Sequence, residues 1–213
     1  MSSLKPIILL PARERVASAI RQAILRRELK ENQEITLEEM AGKLGVSITP
    51  VREAFQVLDG EGLIHLRPNK GAIVLGINEN TIRDHFEIRA VLEAEAAMKV
   101  CNNHADLTDI ISAFESSKIA LKEHNGDYSN CNQAFHYGIW DASGNVKIKL
   151  ILSGLWNGLS MGYNTTESAY AKISFDEHEN ILNAIKNRNA KLAGDLMKKH
   201  INRSYENIMT NYK

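Results

Sequence analysis

The sequence predicts a mainly α-helical protein in two parts, with a small two-stranded β ribbon closing the first part. Within residues 1–77, three segments with helical spacing of apolar residues precede two short strands. Residues 78–213 contain no proline and no strand-like alternation, and their apolar residues also recur at helical spacing. We therefore expect one domain over residues 1–77 and an antiparallel bundle of six helices over residues 78–213.

The composition is that of a globular protein without a strong electrostatic bias. The chain has 213 residues, of which 44% are hydrophobic, and it carries 26 basic and 26 acidic side chains. This balance gives no overall positive field of the kind that marks many nucleic-acid binders. Cys101 and Cys131 form no CxxC pair, and "IILL" at residues 7–10 is too short for a signal peptide or a membrane span. We expect a reduced, cytoplasmic protein.

Two helices are predicted before residue 46. The first runs from about Ala12 to Leu29, with apolar residues at helical spacing. In "TLEEMAGKLGVS", Thr36 and Glu39 are spaced as a capping box, in which each side chain satisfies a free amide at the helix start. Gly45 stands where a helix end favours a left-handed residue.

A third helix is predicted within "SITPVREAFQVLDGEGLI", residues 47–64. Thr49 is expected to be its N-cap, and Pro50 suits the first turn because the missing amide proton costs nothing there. Apolar residues at i, i+3, i+4 and i+7 form the buried face, and Arg52 lies on the opposite face. The strands "LIHL" and "AIVL" then flank "RPNKG", a tip that carries Arg67 and Lys70.

Helix, short turn, capped helix and ribbon together match the winged helix-turn-helix plan, which places the start of the second helix at base edges in the major groove. Arg52 is positioned to grip guanine O6 and N7 with two parallel bonds. Ser47, Thr49 and the amides at the helix start suit phosphate oxygens. The alternative is that Arg52 is an ordinary surface residue of a small helical domain.

This segment resembles the DNA-binding domain of GntR-family bacterial transcription regulators. The resemblance extends from about Val16 to Val74 and includes "PNKGAIV". It implies that Arg52 is the recognition-helix arginine and that the wing tip contacts DNA through Asn69, Lys70 and Gly71. Many members of the family have arginine where this chain has Ile48, so the base preference of relatives does not transfer at that position.

Three histidines lie on the apolar faces of different predicted helices in the second part. The six segments are about 79–102, 106–124, 128–142, 146–163, 174–188 and 190–211. His136, His178 and His200 each have apolar neighbours three and four residues away, so all three are expected to point into the bundle. A single inward histidine is usually a hydrogen-bonded core residue, whereas three converging imidazoles are a common way to hold a divalent metal.

The bundle resembles the FCD effector domain of FadR-like GntR regulators, and its six helices are most similar to the VanR-like group. The matching pieces are "EIRAVLEAEAA", "NQAFHYGIWDASGN", "EHENILNAI" and "KKHI". Many members bind a metal through one aspartate and three histidines. The resemblance implies that the three histidines hold a divalent ion, such as zinc, nickel or manganese. The aspartate position is occupied here by Asn132.

An Asn132 ligand set would leave the ion with a net charge of +2, which favours an anionic ligand. The alternative is that metal binding is weakened or lost, and that the histidines alone bind an anion. The resemblance also implies a place for Arg89 beside the effector, where it could hold a carboxylate with two bonds. A salt bridge from Arg89 to Glu93 or Glu95 is the other interpretation.

The function expected from this sequence is a metabolite-responsive transcription regulator, in the repressing direction that is commoner in the family. A homodimer would place two winged domains on two-fold-related half-sites of double-stranded DNA, and a small organic acid would bind in the helical domain. Two alternatives stay open. A metal-dependent enzyme would also use three histidines, although HExxH and other catalytic motifs are absent. A constitutive DNA-binding protein would use the metal for structure only.

Overall fold

The computed structural model describes residues 11–68, 70–76, 78–123, 128–156 and 168–212. The chain divides into two compact units, residues 1–78 and residues 79–213. The described residues form nine helices and a three-stranded antiparallel sheet, which confirms the mainly helical fold class. None of the described helices has the length and hydrophobicity that crossing a membrane would need.

The N-terminal unit alternates helices with three short strands. Its elements are α1 (Ala12–Leu25), β1 (Glu34–Ile35), α2 (Leu37–Leu44), α3 (Ile48–Gly60), β2 (Ile64–Arg67) and β3 (Gly71–Val74). Helix α3 packs against α1 and α2, and its buried face consists of Val51, Ala54, Phe55 and Leu58, as its apolar spacing predicts. The helix and the wing are joined by Asp59, whose carboxylate accepts a hydrogen bond from the Leu66 amide at 2.8 Å.

The wing contains three strands, one more than the two predicted from the sequence. The order is β1-β3-β2, because Glu34 and Ile35 pair with Ile73 and Ala72 on the free edge of β3. A two-residue strand carries too little alternation to be recognised in sequence. Gly71 permits this pairing. It has a φ of +84°, and a Cβ atom there would lie 2.2 Å from the Ile35 carbonyl oxygen.

Three details of the helix ends differ from the sequence prediction. Helix α1 stops at Leu25 rather than Leu29, and Arg27 adopts the left-handed conformation with a φ of 58°. Helix α3 begins at Ile48, so its N-cap is Ser47 and the prediction of Thr49 is wrong. In α2, the Thr36 hydroxyl accepts from the Glu39 amide as expected, but the Glu39 carboxylate binds Lys43.

Arg21 lies inside the N-terminal unit, although its helical spacing predicts a position away from the apolar face. It is 1% exposed and forms two hydrogen bonds to the Glu61 carboxylate, at 2.9 and 2.6 Å. Glu61 is the C-cap of α3. The pair therefore fixes the end of α3 against α1.

The C-terminal unit contains the six predicted helices within its described residues. They are α4 (Glu79–Asn102), α5 (Thr108–Glu123), α6 (Tyr128–Ala142), α7 (Val146–Trp156), α8 (Ser168–Lys186) and α9 (Ala190–Tyr212). Helix α8 begins six residues before the predicted start, and residues 157–163 of the predicted fourth segment lie outside the described part. Helix α4 packs along α9, α5 along α6, and α8 along α9, around a core that includes Phe86, Phe135, Ile139 and Ile185.

Candidate metal centre and DNA-reading helix

Three buried imidazoles meet in the core of the C-terminal unit. His136 on α6, His178 on α8 and His200 on α9 are 1%, 0% and 3% exposed. Their Nε2 atoms lie 3.2 Å (His136 to His178), 3.3 Å (His178 to His200) and 3.3 Å (His136 to His200) apart. The structure therefore brings together the three histidines that the sequence predicts to converge, in a group suited to a metal ion.

Two carboxylates fix the tautomers of these histidines. Nδ1 of His136 lies 2.5 Å from Oε2 of Glu93, and Nδ1 of His200 lies 2.6 Å from Oε2 of Glu177. An ionised carboxylate only accepts hydrogen bonds, so both Nδ1 atoms must carry the proton. In its neutral form, each of these two imidazoles then presents a bare Nε2 lone pair to the centre of the cluster.

These lone pairs cannot bond to one another. His178 can donate its own Nε2 proton to only one neighbour, so the three contacts cannot all be hydrogen bonds. A metal ion would resolve the conflict, because three nitrogens bound tetrahedrally at 2.0–2.1 Å are about 3.3 Å apart. The Nε2 separations match that geometry, and carboxylate–histidine pairs of this kind orient metal ligands in other proteins.

Asn132, the fourth ligand implied by the resemblance, lies one helical turn before His136 on α6 and carries an amide oxygen. Its Oδ1 atom is buried and has no hydrogen-bond partner among the described residues. A buried carbonyl oxygen without a partner is unfavourable and rare in native proteins. A divalent ion held by the three histidines would satisfy it, so the residues present fit a metal.

Glu93 is the centre of a saturated polar network. Its Oε1 accepts from Nε and Nη2 of Arg89 at 2.9 and 2.7 Å, and its Oε2 also accepts from Nε1 of Trp140 at 3.2 Å. Burial raises the pKa of Glu93, but the charges and hydrogen bonds of His136 and Arg89 outweigh it and lower that pKa to about 2. The salt bridge to Glu93, one of the two interpretations of Arg89, is thus present.

A second ion pair stands behind His200. Arg203 on α9 donates from Nε to both oxygens of Glu177, at 2.8 and 2.9 Å. The sequence indicated Glu93 only as a partner of Arg89, and neither the contact of Glu93 with His136 nor the role of Glu177 was predicted. The one available signal was the i, i+4 spacing of Arg89 and Glu93. Glu177 and His200 are 23 positions apart in sequence, so no local pattern indicates their contact.

His178 is held differently from the other two histidines. Its ring stacks on Phe135 at a centroid distance of 4.3 Å, and its Nδ1 has no hydrogen-bond partner among the described residues. Burial lowers the pKa of His178 well below the usual value, and the neighbouring His200 and His136 lower it further. Burial also lowers the pKa of His200 to about 4, although Glu177 opposes this shift.

The predicted DNA-binding residues of α3 lie exposed at or near the start of that helix. Ser47, Thr49 and Arg52 are all exposed, and the Ser47 side chain makes no capping bond to the helix. Arg52 has no hydrogen bond or ion pair with any residue of the described part. Its guanidinium is therefore available for a partner outside the chain.

The wing-tip residues differ in their availability. Lys70 is exposed, whereas Arg67 is ion-paired with Glu34 on β1. Gly71 is required by its left-handed backbone conformation and its close approach to Ile35, so a DNA contact is not needed to explain a glycine at this position. Asn69 lies outside the described residues.

Comparison with known proteins assigns a family to both units. Residues 84–203 match the family model described as "FCD domain", and residues 12–74 match "Bacterial regulatory proteins, gntR family". The gluconate operon transcriptional repressor of Bacillus licheniformis is 24% identical over 209 residues, covering 91% of this chain and 82% of that protein. The probable D-xylose utilization operon transcriptional repressor of Paenarthrobacter nicotinovorans is 29% identical over 172 residues, covering 76% and 74%.

Solved structures share the fold. The structure titled "E. coli McbR/YncC" superposes with a TM-score of 0.73 at 19% identity, covering 96% of this chain and 100% of that chain. A putative GntR transcriptional regulator from Rhodococcus sp. RHA1 gives a TM-score of 0.67 at 20% identity, covering 94% and 99%. The family and the two operon repressors named above are transcription regulators, which confirms the expectation that the chain is a regulator and not an enzyme. It is a member of the gntR family of bacterial transcription regulators, with a winged helix-turn-helix domain followed by an FCD domain.

Proposed function

We propose that this regulator binds a small carboxylate at a metal ion held by Asn132, His136, His178 and His200, and that the carboxylate controls its binding to operator DNA. The observation that supports the metal most strongly is the meeting of three Nε2 atoms, two of them bare acceptors, at separations of 3.2 to 3.3 Å. When bound, a divalent ion such as zinc, nickel or manganese supplies a positive centre that accepts an anionic ligand.

The charges around the site make the binding of an anionic ligand dependent on the metal. Arg89 is paired with Glu93, and Arg203 with Glu177, so these four charges cancel. The lowered pKa values of His178 and His200 leave both rings neutral near pH 7. These two rings therefore offer an anion no positive charge, whereas a bound ion adds +2. This difference favours anion binding through the ion over anion binding by the histidines alone.

The relatives' names support repression and a link to small carbon compounds. One relative is named for repressing a gluconate operon and another for repressing a D-xylose utilization operon. We propose the same direction here, with a small organic acid as effector and operation in the cytoplasm, where the DNA is. The assignment to the VanR-like group and an effector contact by Arg89 stay predictions. Because Arg89 already binds Glu93, we expect its main effect to be indirect, through the orientation of His136.

DNA recognition is proposed for the exposed start of α3 and for the wing. Arg52 would read a base edge, and Ser47 and Thr49 would bind phosphate oxygens, together with the free amides at the helix start. Lys70 would contribute a positive charge that attracts the DNA phosphates. Arg67 would contact phosphate only by leaving Glu34, so we expect less from it. Asn69 and Gly71 complete the proposed wing-tip contact surface.

A homodimer is proposed through α4 and α7. These helices pack against each other and expose apolar side chains, including Ile88 and Val91 on α4 and Leu150 and Ile151 on α7. A second copy would bury them, and two-fold symmetry would present two winged domains to related half-sites. For control of DNA binding, the carboxylate must bind one arrangement of these domains more tightly than the other.

A constitutive DNA-binding protein with a structural metal is the second candidate. Three histidines and one asparagine make four ligands, the number found in closed structural zinc sites. A six-coordinate ion at the same four ligands would keep two positions open for a carboxylate. The two candidates differ in whether a carboxylate changes operator binding.

The test combines metal analysis with operator titration. Wild-type protein and His178→Ala are supplied with zinc, nickel or manganese, and bound metal is measured after gel filtration. Operator binding is then followed by fluorescence anisotropy with D-gluconate, citrate and lactate as probes. We expect about one ion per wild-type chain, loss of the ion in His178→Ala, and a shift in operator affinity with at least one acid only in metal-loaded wild type. Unchanged operator affinity across a broad panel of acids would favour the structural-metal candidate.

A further inference from the structure

Trp156, at the end of α7, carries a buried hydrogen-bond donor without a partner. The side chain is 4% exposed, and its Nε1 atom makes no hydrogen bond within the described part of the chain. A buried donor left unpaired is destabilising by about 1–3 kcal/mol, and native proteins rarely leave one without a protein, water or ligand partner. The indole N–H therefore indicates a partner that the described residues do not supply.

The position of this donor links it to the metal centre. The Trp156 ring lies 5.1 Å from the ring of His136 and 5.6 Å from that of Trp140, measured between centroids. Arg89 places its guanidinium carbon 4.8 Å from the centroid of the Trp156 ring. The indole is thus held between the ion pair behind His136 and the imidazole itself, so its orientation is fixed by packing rather than by a hydrogen bond.

Trp140 provides an internal comparison. The chain contains two tryptophans, and both flank His136. The N–H of Trp140 is used within the protein, since it donates to Glu93 at 3.2 Å. The N–H of Trp156 has no acceptor among the described residues, although its ring lies closer to His136 than that of Trp140 does. The same residue type therefore has a structural role at one position and an unused donor at the other.

We propose that the Trp156 indole N–H donates a hydrogen bond to an oxygen of the anionic ligand bound at the three-histidine centre, and so determines its specificity. This inference rests on the proposed function. Indole Nε1–H is a donor only, so the ligand must offer an acceptor there. The ligand class is an oxyanion, such as a carboxylate, with one oxygen at the ion and another free to accept. Thiocyanate bound to the ion through its nitrogen leaves only a sulfur free, and sulfur is a weak acceptor, so thiocyanate gains little from this contact.

The test removes the N–H and retains the ring. Trp156 is replaced with 3-benzothienylalanine, whose sulfur takes the place of the N–H, by stop-codon suppression in the full-length chain. Oxalate and thiocyanate serve as probes of the metal-loaded protein in isothermal titration calorimetry. Because a hydrogen bond to a charged group is among the stronger ones, we expect oxalate to bind about 10–100-fold more weakly. Thiocyanate affinity and metal content should stay within about twofold of wild type.

The same replacement at Trp140 is the matched control. Losing its bond to Glu93 should lower metal affinity, while the ratio of oxalate to thiocyanate affinity stays as in wild type. Equal oxalate binding by wild type and the Trp156 analogue, at equal metal content, would overturn this inference and leave the proposed function standing. Wild-type protein that takes up no ion would overturn both.

Discussion

Asn132→Asp is the substitution that separates metal binding from effector binding most clearly. It exchanges an amide for a carboxylate of almost the same size, one helical turn from His136. The buried Oδ1 of Asn132 has no other partner among the described residues, so the change breaks no hydrogen bond there. With a metal at the site, the introduced charge becomes a stronger ligand, and the net charge of the ion and its ligands falls from +2 to +1.

The distances between the ligand atoms determine how strongly Asn132→Asp should weaken effector binding. Neighbouring ligands of one ion should lie about as far apart as the Nε2 atoms, 3.2 to 3.3 Å. The charge centres of the introduced carboxylate and a bound carboxylate are then about 4 Å apart, where their repulsion is about 1 kcal/mol in water and about 4 kcal/mol at an effective dielectric constant of about 20. We expect the effector to bind about 5- to 1000-fold more weakly. Metal affinity should rise by about tenfold or more, because a formal charge replaces a dipole.

The assay measures both affinities on the same protein samples. Competition with a chelator of known affinity gives the metal dissociation constant, and calorimetry with the acid that shifts operator binding gives the effector constant. Wild type and Asn132→Asp are compared at equal metal content, with His178→Ala as the variant that should lose the ion. Thermal melting confirms that each variant is folded.

The reasoning requires the two affinities to move in opposite directions. A general change in stability would move both together. If Asn132→Asp weakened effector binding and left metal affinity unchanged, Asn132 would not be a ligand, and repulsion within the pocket would explain the result. Equal effector affinity in both proteins would contradict the placement of the anion beside Asn132.

Three further predictions concern DNA reading, assembly and the support of the metal site. Arg52→Ala should weaken operator binding by about 1–3 kcal/mol and relax the preference at one base pair, whereas Lys70→Ala should weaken binding to all sequences and reduce its salt dependence. Anisotropy titrations on operator and altered sequences measure both effects, and unchanged sequence preference in Arg52→Ala would refute its assignment as the base-reading residue. Val91 is 61% exposed on α4, and Val91→Glu should give monomers in sedimentation. The control Ile119→Glu, at a position 55% exposed on α5, should remain a dimer, and a dimer in both variants would exclude the proposed interface. Glu93→Gln should lower metal affinity about 10–100-fold, because Glu93 orients His136, and should destabilise the metal-free protein by about 3–5 kcal/mol, because Arg89 is left buried without its counter-charge. Metal affinity and urea-unfolding free energy equal to those of wild type would contradict this prediction.

Periodicity predicted the parts of the molecule that depend on local spacing. The buried face of α3 follows from Val51, Ala54, Phe55 and Leu58, and each of the three histidines was placed inward by the apolar residues of its own helix. That they meet at one point depends on how α6, α8 and α9 pack, and helical spacing gives only the face. The resemblance to FCD domains supplied the remaining step, and it also drew attention to Asn132.

Contacts between residues distant in sequence were not predictable in the same way. Glu93 and His136 are 43 positions apart, and Arg21 and Glu61 are 40 apart. Nothing in their local patterns selects these partners, since charged residues are usually solvated and each sits in a helix with several candidates. The two-residue strand β1 was missed for a related reason, because only its pairing with β3 defines it. The unpaired donor of Trp156 could be recognised only from the positions of the acceptors in the described residues around it.

The account depends most on a carboxylate acting through the metal to change DNA binding. The most direct measurement is the operator dissociation constant by anisotropy, at a series of acid concentrations, for metal-loaded protein and for the same sample after removal of the ion by a chelator. We predict that the acid shifts operator affinity in the loaded protein, has no effect after chelation, and acts again once the ion is restored. An equal shift with and without the ion, or wild-type protein that takes up no divalent ion at all, would contradict the account.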